Sequence, residues 1–118
     1  MHELSITKSL VKTVLSHFDD KTMRSIETVN VVIGGMNDFE ESWLQKYMDE
    51  LAIGTPLEGA KLRIKKLPIS FKCRKCNNIF EMDLKGSGSV ACPGCKSLEY
   101  DMYTGKEFYV ENIEVVEL

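Results

Sequence analysis

Long apolar runs are missing from this chain of 118 residues: none approaches the roughly 20 apolar residues that a membrane-spanning helix needs. Histidine is almost missing too, with His2 and His17 the whole supply. No glycine-rich phosphate loop is present, and no Ser or Cys can be paired with a general base from spacing, so no catalysis is expected. An excess of basic charge is also lacking. Fifteen Lys and Arg face eighteen Asp and Glu, a net charge of −3, which argues against a dedicated nucleic-acid binder because neutralising phosphates calls for a surplus of cations. The N-terminus has His2 and Glu3 where a secretory signal would carry basic residues, so a cytoplasmic protein is expected. The length suits about one domain's worth of chain, and a hydrophobic share of 43% suffices for one modest core.

Cysteine is sparse as well, yet its four residues are arranged with purpose. Cys73 and Cys76 form one Cys-x-x-Cys pair and Cys92 and Cys95 a second, with fifteen residues between the pairs. Two residues between thiolates let a tight turn aim both sulfurs at one ion about 2.3 Å away, and a second such pair completes a closed tetrahedral zinc site. Redox chemistry would favour a single pair opening a helix, whereas Cys73-Arg-Lys-Cys76-Asn-Asn and Cys92-Pro-Gly-Cys95 are turn sequences. Two disulfides are the other competing reading. Four sulfurs saturate zinc, so the expected metal is structural and any further chemistry lies elsewhere.

Around this centre the periodicity changes several times. Leu4, Leu10, Val11, Val14, Leu15 and Phe18 recur at helical spacing, predicting a helix from about residue 4 to 18 that ends near Asp19 and Asp20. Residues 26–33 alternate and end in Gly34-Gly35, predicting a strand and a turn with Val29, Val31 and Ile33 on one face and Thr28, Asn30 and Val32 on the other. Asn37 or Asp38 is the expected N-cap of a second helix carrying Phe39, Trp43, Leu44, Tyr47, Met48 and Leu51, which Gly54-Thr55-Pro56 stops. Leu62 and Ile64 alternate with Lys61, Arg63 and Lys65 in a strand that Pro68 ends. Phe71, Ile79, Phe80 and Met82 read as a short hairpin, and Gly86-Ser87-Gly88-Ser89 as a flexible connection. Phe108, Val110, Ile113 and Val115 mark a last strand in which Asn112 interrupts the alternation, where a bulge is expected.

Neither helix buries its stripe without a sheet, and the last strand needs the two earlier ones as partners. The expected fold is therefore α/β: two helices on a small three-stranded sheet with an inserted four-cysteine zinc ribbon. One domain takes in residues 1–70 plus 105–118, and the ribbon takes in 71–104. The long late strand, joined through a flexible insertion, leaves strand exchange into a homodimer open.

Few residues remain for function. His17, beside Phe18 at the end of the first helix, is expected to cap carbonyls or pack at the boundary. The series Lys61, Arg63, Lys65, Lys66, Lys72, Arg74 and Lys75 reads as a solvated sheet face. Met1-His2-Glu3 differs, because it offers the α-amine of Met1, the amide of His2 and its imidazole within two residues. Amine and amide close a five-membered chelate ring, and amide and Nδ1 a six-membered one, so the three nitrogens share a plane that suits Ni(II) or Cu(II) over zinc. One position in that plane, trans to the amide, stays open. The Glu3 amide cannot take it while the other three stay put, because the ring it closes with the His2 amide requires it to be cis. The competing reading is that a chain begins Met-His-Glu for no metal-related reason.

The stretches Met1-His2-Glu3-Leu4-Ser5-Ile6, Val31-Val32-Ile33-Gly34, Cys73-Arg74-Lys75-Cys76 and Cys92-Pro93-Gly94-Cys95 together resemble the HypA/HybF family of nickel metallochaperones in [NiFe]-hydrogenase maturation. The resemblance implies a nickel site at His2 with Met1 and Glu3, and structural zinc on Cys73, Cys76, Cys92 and Cys95. It also implies a nickel-handling GTPase as partner and delivery to the hydrogenase large subunit precursor, without catalysis. Some relatives complete the nickel square with a histidine from a long insertion in the zinc domain. Here no histidine follows His17, so the resemblance implies a more labile site whose fourth position is filled by water, a backbone amide or the acceptor. The runner-up function is a zinc-ribbon adaptor that binds protein or nucleic acid, and a small metal-dependent hydrolase stands third.

Overall fold

The computed structural model describes residues 3–81 and 91–118. Met1, His2, Met82 and the connection at 86–89 lie outside the described residues. Two helices and six strands follow one another: α1 (Glu3–Ser16), β1 (Met23–Gly34), α2 (Glu41–Leu51), β2 (Lys61–Leu67), β3 (Ser70–Cys73), β4 (Ile79–Glu81), β5 (Tyr100–Thr104) and β6 (Phe108–Glu117). The chain forms two compact units, one from the described residues of Met1–Val32, Asp38–Lys65 and Phe108–Leu118, the other from Ile33–Asn37 and the described residues of Lys66–Glu107. No helix among the described residues is long and apolar enough to cross a membrane.

The first unit is built on a three-stranded sheet of order β2-β1-β6, as the alternating segments require. The Ile26 N–H meets the Pro56 carbonyl just before β2, and the Gly35 N–H meets the Leu67 carbonyl at its end, so β1 and β2 run parallel with α2 as their crossover. The Leu118 N–H reaches the Thr22 carbonyl and the Gly34 N–H the Glu107 carbonyl, so β6 runs antiparallel to β1. Central β1 is buried on both faces from Thr28 to Gly34 except at Asn30, and the expected split into two contrasting faces is lost. A strand covered on both faces reads as a near-continuous apolar run rather than an alternation. On β6 the half-buried positions are Phe108 and Val110, then Ile113 and Val115, so the alternation slips by one residue at Glu111 and Asn112.

Both helices are narrower in their burial than their sequence stripes. In α1 the buried residues are Thr7, Leu10, Val11 and Val14, and α1 packs on α2 and on β6. Leu4 is exposed, and the helix ends at Ser16, short of the aspartates. Thr7 takes Leu4's place on the buried side because its hydroxyl donates to the Glu3 carbonyl and leaves only its methyl to pack. In α2 only Leu44 and Met48 are buried, while Trp43 and Tyr47 stack on each other at 5.6 Å with the Lys46 ammonium 4.8 Å from the indole centroid. Glu40 occupies the N-cap position without a side-chain cap bond; Asn37, expected there, instead donates its amide to the Glu107 carbonyl.

The second unit holds its own sheet of order β4-β3-β5. β3 pairs antiparallel with both neighbours, Phe71 standing opposite Phe80 and Met102, so the expected hairpin is present and β5 is an addition. Gly34 and Gly105 approach so closely that a Cβ on Gly34 would lie 2.2 Å from the Gly105 carbonyl carbon. Only glycine fits there.

Candidate metal centre

Each cysteine pair sits on a knuckle, and the two knuckles repeat one backbone pattern. In the first, the Cys73 N–H donates to the Asn78 carbonyl at 2.9 Å and the Asn77 N–H returns to the Cys73 carbonyl at 3.1 Å. In the second, the Cys92 N–H donates to the Ser97 carbonyl at 2.9 Å and the Lys96 N–H returns to Cys92 at 2.7 Å. The turn closes through a left-handed residue at the same position of each, Asn77 (φ 61°) and Lys96 (φ 62°). In both, the first cysteine is buried and the second exposed.

These turns bring the four Sγ atoms within 4.8 Å of one another, with Cys73 to Cys95 and Cys76 to Cys92 each at 3.5 Å. A tetrahedron with zinc–sulfur bonds of about 2.3 Å has sulfur–sulfur edges of about 3.8 Å. A disulfide needs about 2.0 Å. The thiols are free and their spacing fits structural zinc.

The backbone prepares the inner sulfurs for a cation. The Cys95 N–H, helped by that of Gly94, lowers the Cys92 thiol to about 6 against the opposing effect of burial. The Cys76 N–H likewise holds the Cys73 thiol below its ordinary range, again against burial and with help from Lys75, whose N–H lies 3.4 Å from the sulfur. Donors aimed at a sulfur favour its thiolate, the form that binds metal. The Asn78 amide adds a longer approach to Cys92 at 3.9 Å. Sequence reasoning singled out the four cysteines that the fold brings together but not these donors, which belong to the backbone and have no side-chain signature.

Aromatic packing finishes the ribbon. Cys73, Phe80 and Cys92 are buried together with Phe71 and Tyr100 half-buried against them. The three rings lie 5.4 to 6.1 Å apart between centroids. The basic series from Lys61 to Lys75 is exposed throughout, the solvated face expected, and near the knuckles it also carries ion pairs: Arg74 forks onto Asp101 at 2.6 and 2.9 Å, and Lys75 reaches Glu99 at 4.0 Å. Arg63 similarly meets Glu114 at 3.4 Å in the other unit. His17 places Nδ1 3.1 Å from the Thr13 carbonyl and 3.0 Å from the Ser16 hydroxyl, the carbonyl-capping role expected at a helix end.

Of the proposed nickel residues, Met1 and His2 lie outside the described residues. Glu3 is the first residue of α1, half-buried, with one carboxylate oxygen 3.5 Å from the Glu40 amide nitrogen.

The family described as "Hydrogenase/urease nickel incorporation, metallochaperone, hypA" matches residues 1–115. A hydrogenase maturation factor HypA from Dehalococcoides mccartyi is 36% identical over 115 residues, spanning 98% of this chain and 94% of that protein. Another, from Caldanaerobacter subterraneus subsp. tengcongensis, is 37% identical over 117 residues, 98% of this chain and 99% of its own. Among solved structures, the solution structure of the Ni metallochaperone HypA from Helicobacter pylori has a TM-score of 0.62 at 22% identity, covering 98% of both chains. A second HypA solution structure reaches 0.74 at 22% identity, covering 98% of this chain and 97% of that one. At such identity the likeness speaks to the fold, and it is the same fold.

Proposed function

The chain belongs to the HypA family of hydrogenase and urease nickel-incorporation metallochaperones, and we propose that it takes up Ni(II) through Met1, His2 and Glu3 while Cys73, Cys76, Cys92 and Cys95 hold structural zinc. Its function is nickel incorporation in hydrogenase maturation, with nickel as cargo. The observation that carries the reading is the reach of the family match, which begins at residue 1 and takes in the Met-His-Glu start together with both cysteine pairs.

The Met1 amine, the His2 amide and the His2 imidazole supply three nitrogens in one plane, a set suited to Ni(II). Glu3 opens α1, and the amide of a helix's first residue takes no part in the intrahelical ladder, so metallating it would leave the helix intact. The Glu3 amide enters only if the amine gives way. Otherwise water or the acceptor fills the fourth place, which makes release easy. The nickel function resides in 1–70 plus 105–118 and the zinc function in 71–104. The partners are a nickel-handling GTPase and the hydrogenase large subunit precursor, met in the cytoplasm, where thiols stay reduced. The protein transfers its ion without turnover.

The test is a nickel titration of zinc-loaded protein in three forms: the native N-terminus, a form with extra residues before Met1, and His2→Ala. Stoichiometric binding by the first and its loss in the other two is expected. Equal binding by all three would move the nickel site away from the N-terminus and favour the zinc-ribbon adaptor. Loading should also fall as pH drops from about 7.5 to about 5.5, because imidazole and amide bind nickel only when deprotonated. A flat profile would remove His2 from the ligand set.

A further inference from the structure

A slot of about 520 Å³ lies between α1 and β6, and no proposed metal ligand is among the residues that line it. Its helix wall is Ser9, Leu10, Thr13, Val14 and His17, spaced one, three, one and three apart, so a single face of α1 lines it. Its other wall is every residue from Phe108 to Ile113. A slot lying over one face of a strand would be lined by alternate residues, because successive side chains point to opposite sides. Six consecutive residues mean that the slot opens along the strand's edge. β6 is the terminal strand of its sheet among the described residues, so that edge carries backbone N–H and C=O groups with no strand opposite.

From this geometry we infer that the slot is a docking site for an extended segment of a partner polypeptide, added to the edge of β6 and bearing Lys or Arg alternating with apolar residues. Strand addition beside a helix is a recurrent way to bind peptides: main-chain bonds supply affinity and alternate side chains supply specificity. Six residues of β6 span about 17 Å of extended chain, enough for a segment of similar length. Leu10 and Val14 are buried at the slot's floor, and Phe108, Val110 and Ile113 are half-buried along it, which suits the apolar side chains. The fixed charge lining the slot is the Glu111 carboxylate, and β6 carries no Lys or Arg to offset it. An acidic edge selects a basic strand. It also selects against a second copy of β6, which would set carboxylates against carboxylates.

The experiment uses the zinc-loaded full chain and fluorescein-labelled, end-capped octapeptides as probes: alternating Lys-Val, alternating Glu-Val, and Lys-Val N-methylated at alternate residues. Binding is read by anisotropy and its place by amide hydrogen exchange. The Lys-Val peptide should bind and slow exchange within 108–113, and the N-methylated and Glu-Val peptides should bind at least tenfold more weakly. Thr13→Trp, at an exposed position, should fill the slot and weaken Lys-Val binding about tenfold while leaving the melting temperature unchanged. Glu111→Lys should exchange the preferences for Lys-Val and Glu-Val. No Lys-Val binding, equal binding of the N-methylated peptide, or binding that leaves 108–113 unprotected would overturn the assignment. So would concentration-dependent self-association that protects 108–113, since a second copy would then occupy the slot.

Discussion

The two units of this chain solve the same problem by different means. The first hides aliphatic side chains: Leu10, Val11 and Val14 of α1, Ile26, Val29, Val31 and Val32 of β1, and Leu44 and Met48 of α2 are all buried. The second buries Cys73, Phe80 and Cys92, with Phe71 and Tyr100 against them, so two of its three buried cluster members are proposed metal ligands. One unit is fixed by exclusion of water, at roughly 1.5–3 kcal/mol for each fully buried aliphatic side chain. The other has too little apolar surface for that and needs coordination. For a carrier the division is useful, because the unit to which we assign the nickel site would not depend for its fold on having a metal bound.

Removing zinc is the strongest way to break the contrast. Structural zinc on four thiolates contributes on the order of 10 kcal/mol to a small module. Chelation, or Cys92→Ser, should collapse the amide dispersion of 66–81 and 91–107 while α1 and α2 keep their helical circular dichroism. Simultaneous loss of both would show that the units fold as one. The complementary change is Leu44→Ala, at a side chain 1% exposed. It should cost about 2–5 kcal/mol and lower the melting temperature of the first unit. Zinc affinity, measured by competition with a chromophoric chelator, should not move.

The same contrast explains what the sequence made legible. Periodicity reports burial, so α1, β1, β2 and β6 were readable, including the slip at Glu111 and Asn112. Ligand spacing reports coordination, so the knuckles were readable from Cys73, Cys76, Cys92 and Cys95 alone. Neither signal reaches β5, where Tyr100, Met102 and Thr104 are only half-buried because the ribbon has so little core to hide them in. Helix stripes misled at Leu4 and Trp43, since an apolar residue at helical spacing is still exposed when the core does not reach it. The cap misled at Asn37, whose amide found a carbonyl 70 residues away before it found the first turn of α2. The edge slot left no trace, being a property of strand order.

A smaller effect compares the knuckles with each other. Asn77 and Lys96 share a left-handed backbone, which asparagine adopts at less cost than lysine. Lys96→Gly should therefore stabilise the ribbon by about 0.5–1 kcal/mol once glycine's greater unfolded-state freedom is offset, seen as slower zinc loss to a chelator. The equivalent Asn77→Gly should do less. Equal gains would mean that the left-handed turn costs both residues alike.

The smallest expected effect concerns the pair at the ribbon's surface. Arg74 donates two hydrogen bonds to Asp101, and these bonds, against desolvation and with the attraction between the charges, hold the Asp101 carboxyl below its usual range. A carboxylate with a depressed folded value contributes its stability above the unfolded value and loses it only as pH falls through the folded one. That loss lies below about pH 4. Zinc thiolates compete with protons before then, because metal affinity falls as thiols are protonated. Both side chains of the pair are also more than 60% exposed, so solvent and salt screen what it contributes. Arg74→Gln should then lower the melting temperature slightly and equally at every pH from 7 down to zinc release, so that its curve runs parallel to that of the unaltered chain. Curves that converge before zinc is lost would mean that Asp101 titrates within the zinc-bound range, and that the ribbon leans on its surface charges as well as on its sulfurs.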